Sequence, residues 1–150
     1  MKLLSLFLYL SLSLHLSASI LNEAKCQNLM KRLGDPDLSS AYNKECFIQF
    51  GVQDLLAKLP IKIDSFTEIS SAIAGKESLT YVYSVSSAFP RDNIEMVKKS
   101  IQSQVIKANC AHPMTRKYFI DNDITLKHHY FIKGGSALLK FAVKKSSCGE

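Results

Sequence analysis

The 150-residue chain lacks the short motifs that usually mark an enzyme or a metal site. It has no G-x-S-x-G nucleophile motif, no phosphate-binding P-loop and no dinucleotide-binding glycine pattern. No two histidines are spaced as H-x-H or H-x-x-x-H, and none of the four cysteines forms a C-x-x-C pair. We therefore expect no thioredoxin-like redox site, no metal site and no cofactor.

Carboxylates able to serve as a general acid–base pair are scarce in the second half of the chain. Asp92 and Glu95 fall at the predicted start of a helix, and Asp121 and Asp123 fall in a turn. Acid–base catalysis needs two such groups around one reacting centre, and no pair of this kind is visible. The sequence therefore favours a protein that is not an enzyme, and a small hydrolase with an unrecognised site is kept as an alternative.

Beyond its first 19 residues the chain has no apolar run long enough to cross a membrane. The first 19 place Lys2 before a Leu- and Phe-rich run that ends at Ser17-Ala18-Ser19, the pattern of a secretory signal peptide. We expect residues 1–19 to be removed and residues 20–150 to form one exported domain, periplasmic or secreted. The absence of an N-x-[ST] sequon is compatible with a bacterial source.

Two helices are predicted before the first strand. Apolar residues recur at helical spacing over residues 22–33, and a second helix, capped by Asp35 or Asp37, runs to about Lys58. Gly34 and Pro36 break the chain between them, so residues 22–58 form a predicted helical hairpin.

Residues 61–148 carry the pattern of a sheet with helices on one face. Strand-like alternation and turn residues define two hairpins, and a helix opened by an Asp92-x-x-Glu95 capping box links them. The sequence predicts an α+β fold, with the helical hairpin followed by a ββ-α-ββ antiparallel sheet. The predicted segments are strands at 61–74, 78–87, 124–133 and 137–145, and helices at 92–109 and 113–120.

An even number of cysteines in an exported chain suggests disulfide bonds. Cys26 and Cys46 lie on the two predicted N-terminal helices, Cys110 ends the linking helix, and Cys148 follows the last strand. Four cysteines allow three connectivities. We favour Cys26–Cys46 and Cys110–Cys148.

The segment around Cys110 also allows a different interpretation, because His112 follows two residues later. A cysteine nucleophile needs a lowered thiol pKa and a positioned base. The C-terminal end of a helix carries the negative end of the helix dipole, which opposes thiolate formation. The position of Cys110 therefore favours a structural disulfide over catalysis or metal binding.

The outer face of the last predicted hairpin is the candidate binding surface. Basic side chains with an aromatic ring among them suit an acidic protein surface, with an anionic lipid surface as the alternative. Export makes nucleic acid an unexpected partner. The simpler alternative is a solvated sheet face whose lysines prevent aggregation. The candidate residues are Lys127, His129, Phe131, Lys133, Lys140 and Lys144.

One combination of features resembles known proteins. LTYVYSV at 79–85 is followed by a helix, by Cys110-x-x-Pro113-x-Thr115-Arg116, by a hairpin and by Cys148. Over residues 60–148 this arrangement resembles small exported periplasmic proteins of Gram-negative bacteria, and more weakly the disulfide-bonded α+β pilotins of type II secretion. The resemblance implies a periplasmic, non-catalytic domain with paired cysteines.

From these features the sequence predicts a non-enzymatic exported domain that acts in binding or assembly by recognising another protein. Its partner is unidentified, and the excess of basic residues favours an acidic one: residues 91–150 hold eleven Lys and Arg against five Asp and Glu. An inhibitor or immunity-type protein that blocks an enzyme is the first alternative.

Overall fold

The computed structural model describes Cys26, Asn28 and residues 36–149. Within residues 36–149, three helices and two 3-10 turns accompany one five-stranded sheet. In chain order the elements are α1 (Ala41–Leu56), β1 (Ile61–Lys62), β2 (Thr67–Gly75), β3 (Ser78–Val85), α2 (Ile94–Ala111), α3 (Pro113–Tyr118), a 3-10 turn (Ile120–Asn122), β4 (Thr125–Ile132), β5 (Ala137–Val143) and a second 3-10 turn (Lys145–Cys148).

The predicted α+β class is confirmed, but the sheet is mixed and not wholly antiparallel. Its strands lie in the order β1-β2-β3-β4-β5. Every neighbouring pair is antiparallel except β3 and β4, which run parallel from Ser78 opposite Thr125 to Val85 opposite Ile132. The reason is the long connection through α2, which returns the chain to the end of the sheet where β3 begins, so that β4 starts beside it.

The predicted strand at 61–74 is divided into β1 and β2. Asp64 makes the division, because its carboxylate accepts hydrogen bonds from the backbone N–H groups of Phe66 and Thr67 at 2.7 and 2.8 Å. Such an aspartate-centred turn reverses the chain. As a result, Ile61 pairs with Ile69 in a short antiparallel hairpin.

The aspartates predicted to cap the two long helices do not do so, because another residue takes the N-cap position of each helix. Helix α1 begins after Ser40, whose hydroxyl accepts a hydrogen bond from the Asn43 N–H. The Asp37 carboxylate instead accepts from Ser39 N–H. Helix α2 begins after Asn93, which lies in the left-handed region at φ 57° and makes no side-chain cap.

The core lies on the single side of the sheet that the helices cover. Ile48 and Val52 of α1 pack with Leu79 of β3 and Leu126 of β4, while Ile106 of α2 joins the edge of this cluster. A second cluster, centred on Tyr83 and Tyr130, extends the core along the same sheet face. No helix in the described part of the chain is both long and apolar enough to cross a membrane.

Two disulfide bonds link the described helices to other parts of the chain. Cys26 is bonded to Cys46 of α1, and Cys110 of α2 is bonded to Cys148 of the last 3-10 turn. These are the pairings favoured from the sequence. Of the predicted first helix at 22–33, Cys26 and Asn28 are helical, and the rest lies outside the described residues.

Candidate binding face

The alternation of β4 separates a core side from an outer side. Leu126, His128, Tyr130 and Ile132 are buried, whereas the residues between them are only partly buried. Because successive side chains of a strand point to opposite faces, Lys127, His129 and Phe131 share the outer side. Both core clusters occupy the other side of the sheet, so the described helices leave this side uncovered.

The register between β4 and β5 brings four of the six candidate residues together. His129 lies directly opposite Lys140, and Lys127 lies opposite Ala142. The Lys140 ammonium nitrogen lies 5.1 Å from the centroid of the Phe131 ring, within the range of a cation–π interaction. Lys127, His129, Phe131 and Lys140 therefore form one continuous surface, which we call the basic face.

The pKa of His129 is lowered by partial burial and in part by the positive charges of the basic face. Partial burial is the main cause that lowers the pKa of its imidazole, and the neighbouring charges of Lys140 and then Lys127 lower it further. Each of these effects disfavours adding a further positive charge. His129 is therefore held toward its neutral form, with an imidazole nitrogen available to accept a hydrogen bond.

The other two candidate lysines lie at the ends of this face and have different neighbours. Lys133 follows β4 and lines a depression of about 190 Å³ together with Asp64 and Glu68. Lys144 follows β5, where its backbone N–H donates to the Ser147 hydroxyl at 3.1 Å. The structure therefore places both lysines at the margin of the cluster.

Val82 and Ser84 of β3 are partly buried and extend the surface, whereas Thr80 on the same side is buried. None of the three was predicted from the sequence. Thr80, Val82 and Ser84 lie opposite Lys127, His129 and Phe131 in the parallel register. Alternation along residues 78–85 already places these three on one side of their strand. Their position beside the basic face depends on the order of strands in the sheet, for which the sequence contains no local signal.

The Cys-x-His segment has a structural role. Cys110 is covalently bonded to Cys148, so no thiol is available there. His112 caps α3, because its Nδ1 accepts a hydrogen bond from the Thr115 N–H at 3.3 Å and lies 3.1 Å from the Thr115 hydroxyl. Arg116 lies next to Asp121, with 3.7 Å between Nε and the nearer carboxylate oxygen.

His128 is a hydrogen-bonded histidine of the core. It is 2% exposed, and its Nδ1 lies 2.9 Å from the Tyr83 hydroxyl. Its imidazole stacks between the rings of Tyr81 and Phe141, at centroid distances of 5.4 and 5.1 Å. Burial, followed by the charge of His129, lowers its pKa to about 4, so this histidine is neutral at pH 7.

An open groove beside the second disulfide is a further feature that the sequence analysis did not find. It has a volume of about 810 Å³ and lies between α2 and the 3-10 turn at Lys145–Cys148. Within the described residues, no cluster of three or more histidine, cysteine, aspartate or glutamate side chains has a geometry that would hold a metal ion.

The comparison with known proteins gives a likeness in fold. No model of a known protein family matches the chain, and no curated protein matches it. Among solved structures, a presumed secreted protein of Pseudomonas aeruginosa superposes with a TM-score of 0.61 at 13% identity, covering 72% of this chain and 95% of its own.

Two pilotins of type 2 secretion systems also superpose on the chain. EpsS of Vibrio vulnificus has a TM-score of 0.58 at 15% identity, covering 69% of this chain and 90% of its own. AspS of Vibrio cholerae has a TM-score of 0.55 at 18% identity, covering 71% and 93%. The resemblance to pilotins expected from the sequence is thus confirmed at the level of the fold.

Proposed function

We propose that this chain is a non-enzymatic exported domain that recognises another protein through its basic face. The observation that supports this most directly is the register of β4 and β5, which places Lys127, His129, Phe131 and Lys140 side by side. An aromatic ring among cations offers both apolar contact and charge to a partner. The surface is presented by paired strands, and a rigid surface loses little conformational entropy on binding.

Export is supported by the two disulfide bonds. Disulfides persist in oxidising compartments such as the bacterial periplasm and are rare in the cytosol. Both bonds tie a distant part of the chain to a helix, with a sequence separation of 20 between Cys26 and Cys46 and of 38 between Cys110 and Cys148. The signal-peptide pattern at residues 1–19 points to the same compartment.

A protein partner explains the surface better than a substrate does. The two side chains that first suggested chemistry have structural roles: Cys110 is in a disulfide and His112 caps a helix. His128 is packed in the core. The pilotins that share the fold belong to type 2 secretion systems. This favours a role in the assembly of a secretion machine, with a subunit of that machine as the partner.

The charge of the basic face indicates an acidic partner. The whole chain has a formal net charge of +6, and its excess of positive charge lies in residues 91–150, which include β4 and β5. Opposite charges on two proteins raise the rate of their encounter and fix their relative orientation. Such binding weakens as salt is added, because ions screen charges over about 10 Å at 0.1 M.

Capture from a periplasmic extract of a Gram-negative bacterium tests this proposal. The tagged mature chain is expected to retain an acidic protein, and retention should fall as salt rises. The double variant Lys127→Glu, Lys140→Glu should weaken retention about tenfold or more, because it reverses two charges at the centre of the face. Mass spectrometry then identifies the retained protein.

A matched control reverses two lysines away from the basic face. The variant Lys44→Glu, Lys76→Glu changes the net charge by the same amount but alters α1 and the turn between β2 and β3. It should retain the partner as the wild-type chain does. Equal losses in both double variants, or retention that does not respond to salt, would contradict recognition by the basic face. Conversion of a small molecule of the extract by the mature chain would instead indicate an enzyme.

A further inference from the structure

The sheet ends at β5, and no strand in the described part of the chain pairs with the far side of β5. This strand is seven residues long, from Ala137 to Val143, and contains no proline. An open edge of this kind presents a row of backbone donors and acceptors to another chain. Several peptide-binding domains use such an edge to add an extended peptide as a further strand.

The hydrogen-bonding pattern identifies which residues of β5 face the open edge. The N–H groups of Thr125 and Lys133 donate to the carbonyl oxygens of Glu77 and Val85, on the β3 side. The backbone N–H and C=O groups of the odd-numbered residues of β4 therefore point toward β3. The Ile132 N–H donates toward the β5 side, to Ser136. The even-numbered residues of β4 therefore bond to β5.

Antiparallel alternation then fixes the direction of the groups on β5 itself. Lys140 and Ala142 lie opposite His129 and Lys127, which are odd-numbered residues of β4. In an antiparallel ladder, a pair that does not exchange hydrogen bonds directs its N–H and C=O groups to the outside. The backbone groups of Lys140 and Ala142 consequently point toward the open edge.

The groove of about 810 Å³ is lined by α2 and by the end of the chain segment that follows β5. Helix α2 packs on β5, and the 3-10 turn that forms the other wall directly continues β5. Ile106 and the Cys110–Cys148 disulfide supply apolar surface, and Lys99 and Lys107 lie among the lining residues. A strand that pairs with β5 would direct alternate side chains to the side of the sheet on which α2 packs, as in domains that hold a peptide between a strand and a helix.

The charges around the edge select the chemistry of the occupant. Lys140 lies on its outer side, and Lys99 and Lys107 line the groove. None of the described residues that line the groove is a carboxylate. A second copy of this chain would bring lysines against lysines across the new strand pair, which is unfavourable. An acidic segment would instead be attracted from both sides.

We infer that an extended acidic peptide segment of a partner protein binds along β5 as a sixth strand. Backbone hydrogen bonds to Lys140 and Ala142 hold the segment, and its alternate side chains face either the α2 side of the sheet or the outer lysines. This inference rests on the proposed function, because it specifies how the protein partner is held. It goes further by assigning the contact to the strand edge, which the basic face alone does not require.

Selection from a phage library of random twelve-residue peptides, with the folded mature chain as bait, tests the inference. The selected peptides should be rich in Asp and Glu, with β-branched residues between them and no central proline. Ala142→Pro should weaken their binding about tenfold or more, because it removes an outward N–H that the added strand uses. Proline is tolerated at edge positions of this orientation, so the fold should be kept.

Further variants make the test independent of one substitution. Ala142→Ser changes the side chain but keeps the N–H, and it should bind as the wild type does. If Ala142→Pro does not fold, Lys140→Pro removes the neighbouring outward N–H and should bind more weakly than Lys140→Ala, which loses the same ammonium group but keeps the N–H. Peptides that bind the proline variants unchanged, peptides without acidic residues, or a selection that yields no binder would each overturn the inference.

Sedimentation of the chain alone tests whether a second copy of the chain, and not a partner protein, occupies the edge. A dimer that Ala142→Pro converts to monomer would show that a second copy occupies the edge, and would overturn an acidic partner. The capture experiment separates the two proposals. If Ala142→Pro retains the extracted partner but Lys127→Glu, Lys140→Glu does not, the proposed function stands and the strand-addition inference fails.

Discussion

The hydroxyl of Tyr83 lies 2.9 Å from Nδ1 of His128, and the two rings stack with 5.9 Å between their centroids. The two residues come from β3 and β4, so this hydrogen bond crosses the parallel pair that joins the two halves of the sheet. Burial raises the pKa of Tyr83 far above its ordinary value, which keeps its hydroxyl protonated. A polar contact within an aromatic core therefore links the two hairpins.

The first prediction concerns the loss of stability in acid. The His128 pKa is about 4 in the folded chain, against about 6.5 when unfolded, so the unfolded state binds the proton more readily. Stability from the neutral His128 is complete above pH 6.5 and falls as the pH decreases toward 4, by about 3 kcal/mol in total. Urea unfolding at pH 7 and at pH 4 measures the decrease.

A His128→Gln variant serves as the control for this pH dependence, because carboxylates also titrate near pH 4. The variant should be less stable at pH 7 and should lose less stability on acidification than the wild type. Equal losses for the two proteins would contradict the assignment to His128.

The second prediction removes the partner of this histidine. Tyr83→Phe keeps the ring but deletes the hydroxyl, which leaves the buried Nδ1 of His128 without its hydrogen bond. An unsatisfied buried polar group costs about 1–3 kcal/mol, so the free energy of unfolding should fall by this amount. Tyr81→Phe is the matched control, since Tyr81 stacks on the same imidazole but does not hold Nδ1. Losses of equal size in both variants would argue against the hydrogen bond.

The third prediction concerns the electrostatics of the basic face. Because the charges of Lys140 and Lys127 lower the pKa of His129, replacing both with alanine should raise that pKa. A nuclear magnetic resonance titration of the His129 ring protons measures the shift, and added salt should reduce it. Lys76→Ala, in the turn between β2 and β3, should leave the pKa of His129 unchanged. A fall in that pKa after removal of the two lysines would refute the argument.

The fourth prediction compares the two disulfide bonds. Replacing Cys110 and Cys148 by serine should reduce the free energy of unfolding by about 4 kcal/mol, since the bond closes a loop of 38 residues. The Cys26→Ser, Cys46→Ser variant should lose about 3 kcal/mol, because its loop is shorter, at 20 residues. Urea unfolding under non-reducing conditions gives both values. A negligible effect of the first variant would show that this bond does not support the fold.

Local patterns predicted much of the sheet. The period-two alternation at 124–133 correctly separated buried Leu126 from partly buried Lys127, because each side-chain direction follows from its position in the strand. The basic face was foreseeable for the same reason. The turns were harder, since Asp64 competes for the backbone N–H groups of Phe66 and Thr67 and so interrupts a segment that otherwise alternates.

Features that depend on strand order were beyond the reach of the sequence. The parallel pairing of β3 with β4 arises from the path of the chain through α2, and no residue in either strand encodes it. The position of β5 at the edge follows from the same arrangement, as do the groove beside Cys110 and the contact of β3 with the basic face. Local periodicity contains no information about which strands become neighbours.

The parallel pair of β3 and β4 has a consequence for the order of folding. Each antiparallel hairpin joins strands that are close in sequence, and the turns at Gly75 and Gly134 close them locally. The seam between the hairpins joins Ser78 to Thr125, so it can form only after the whole connection through α2 has been closed. Closing a longer loop costs more chain entropy and slows folding. We therefore expect two early hairpin units and a late seam whose formation sets the folding rate.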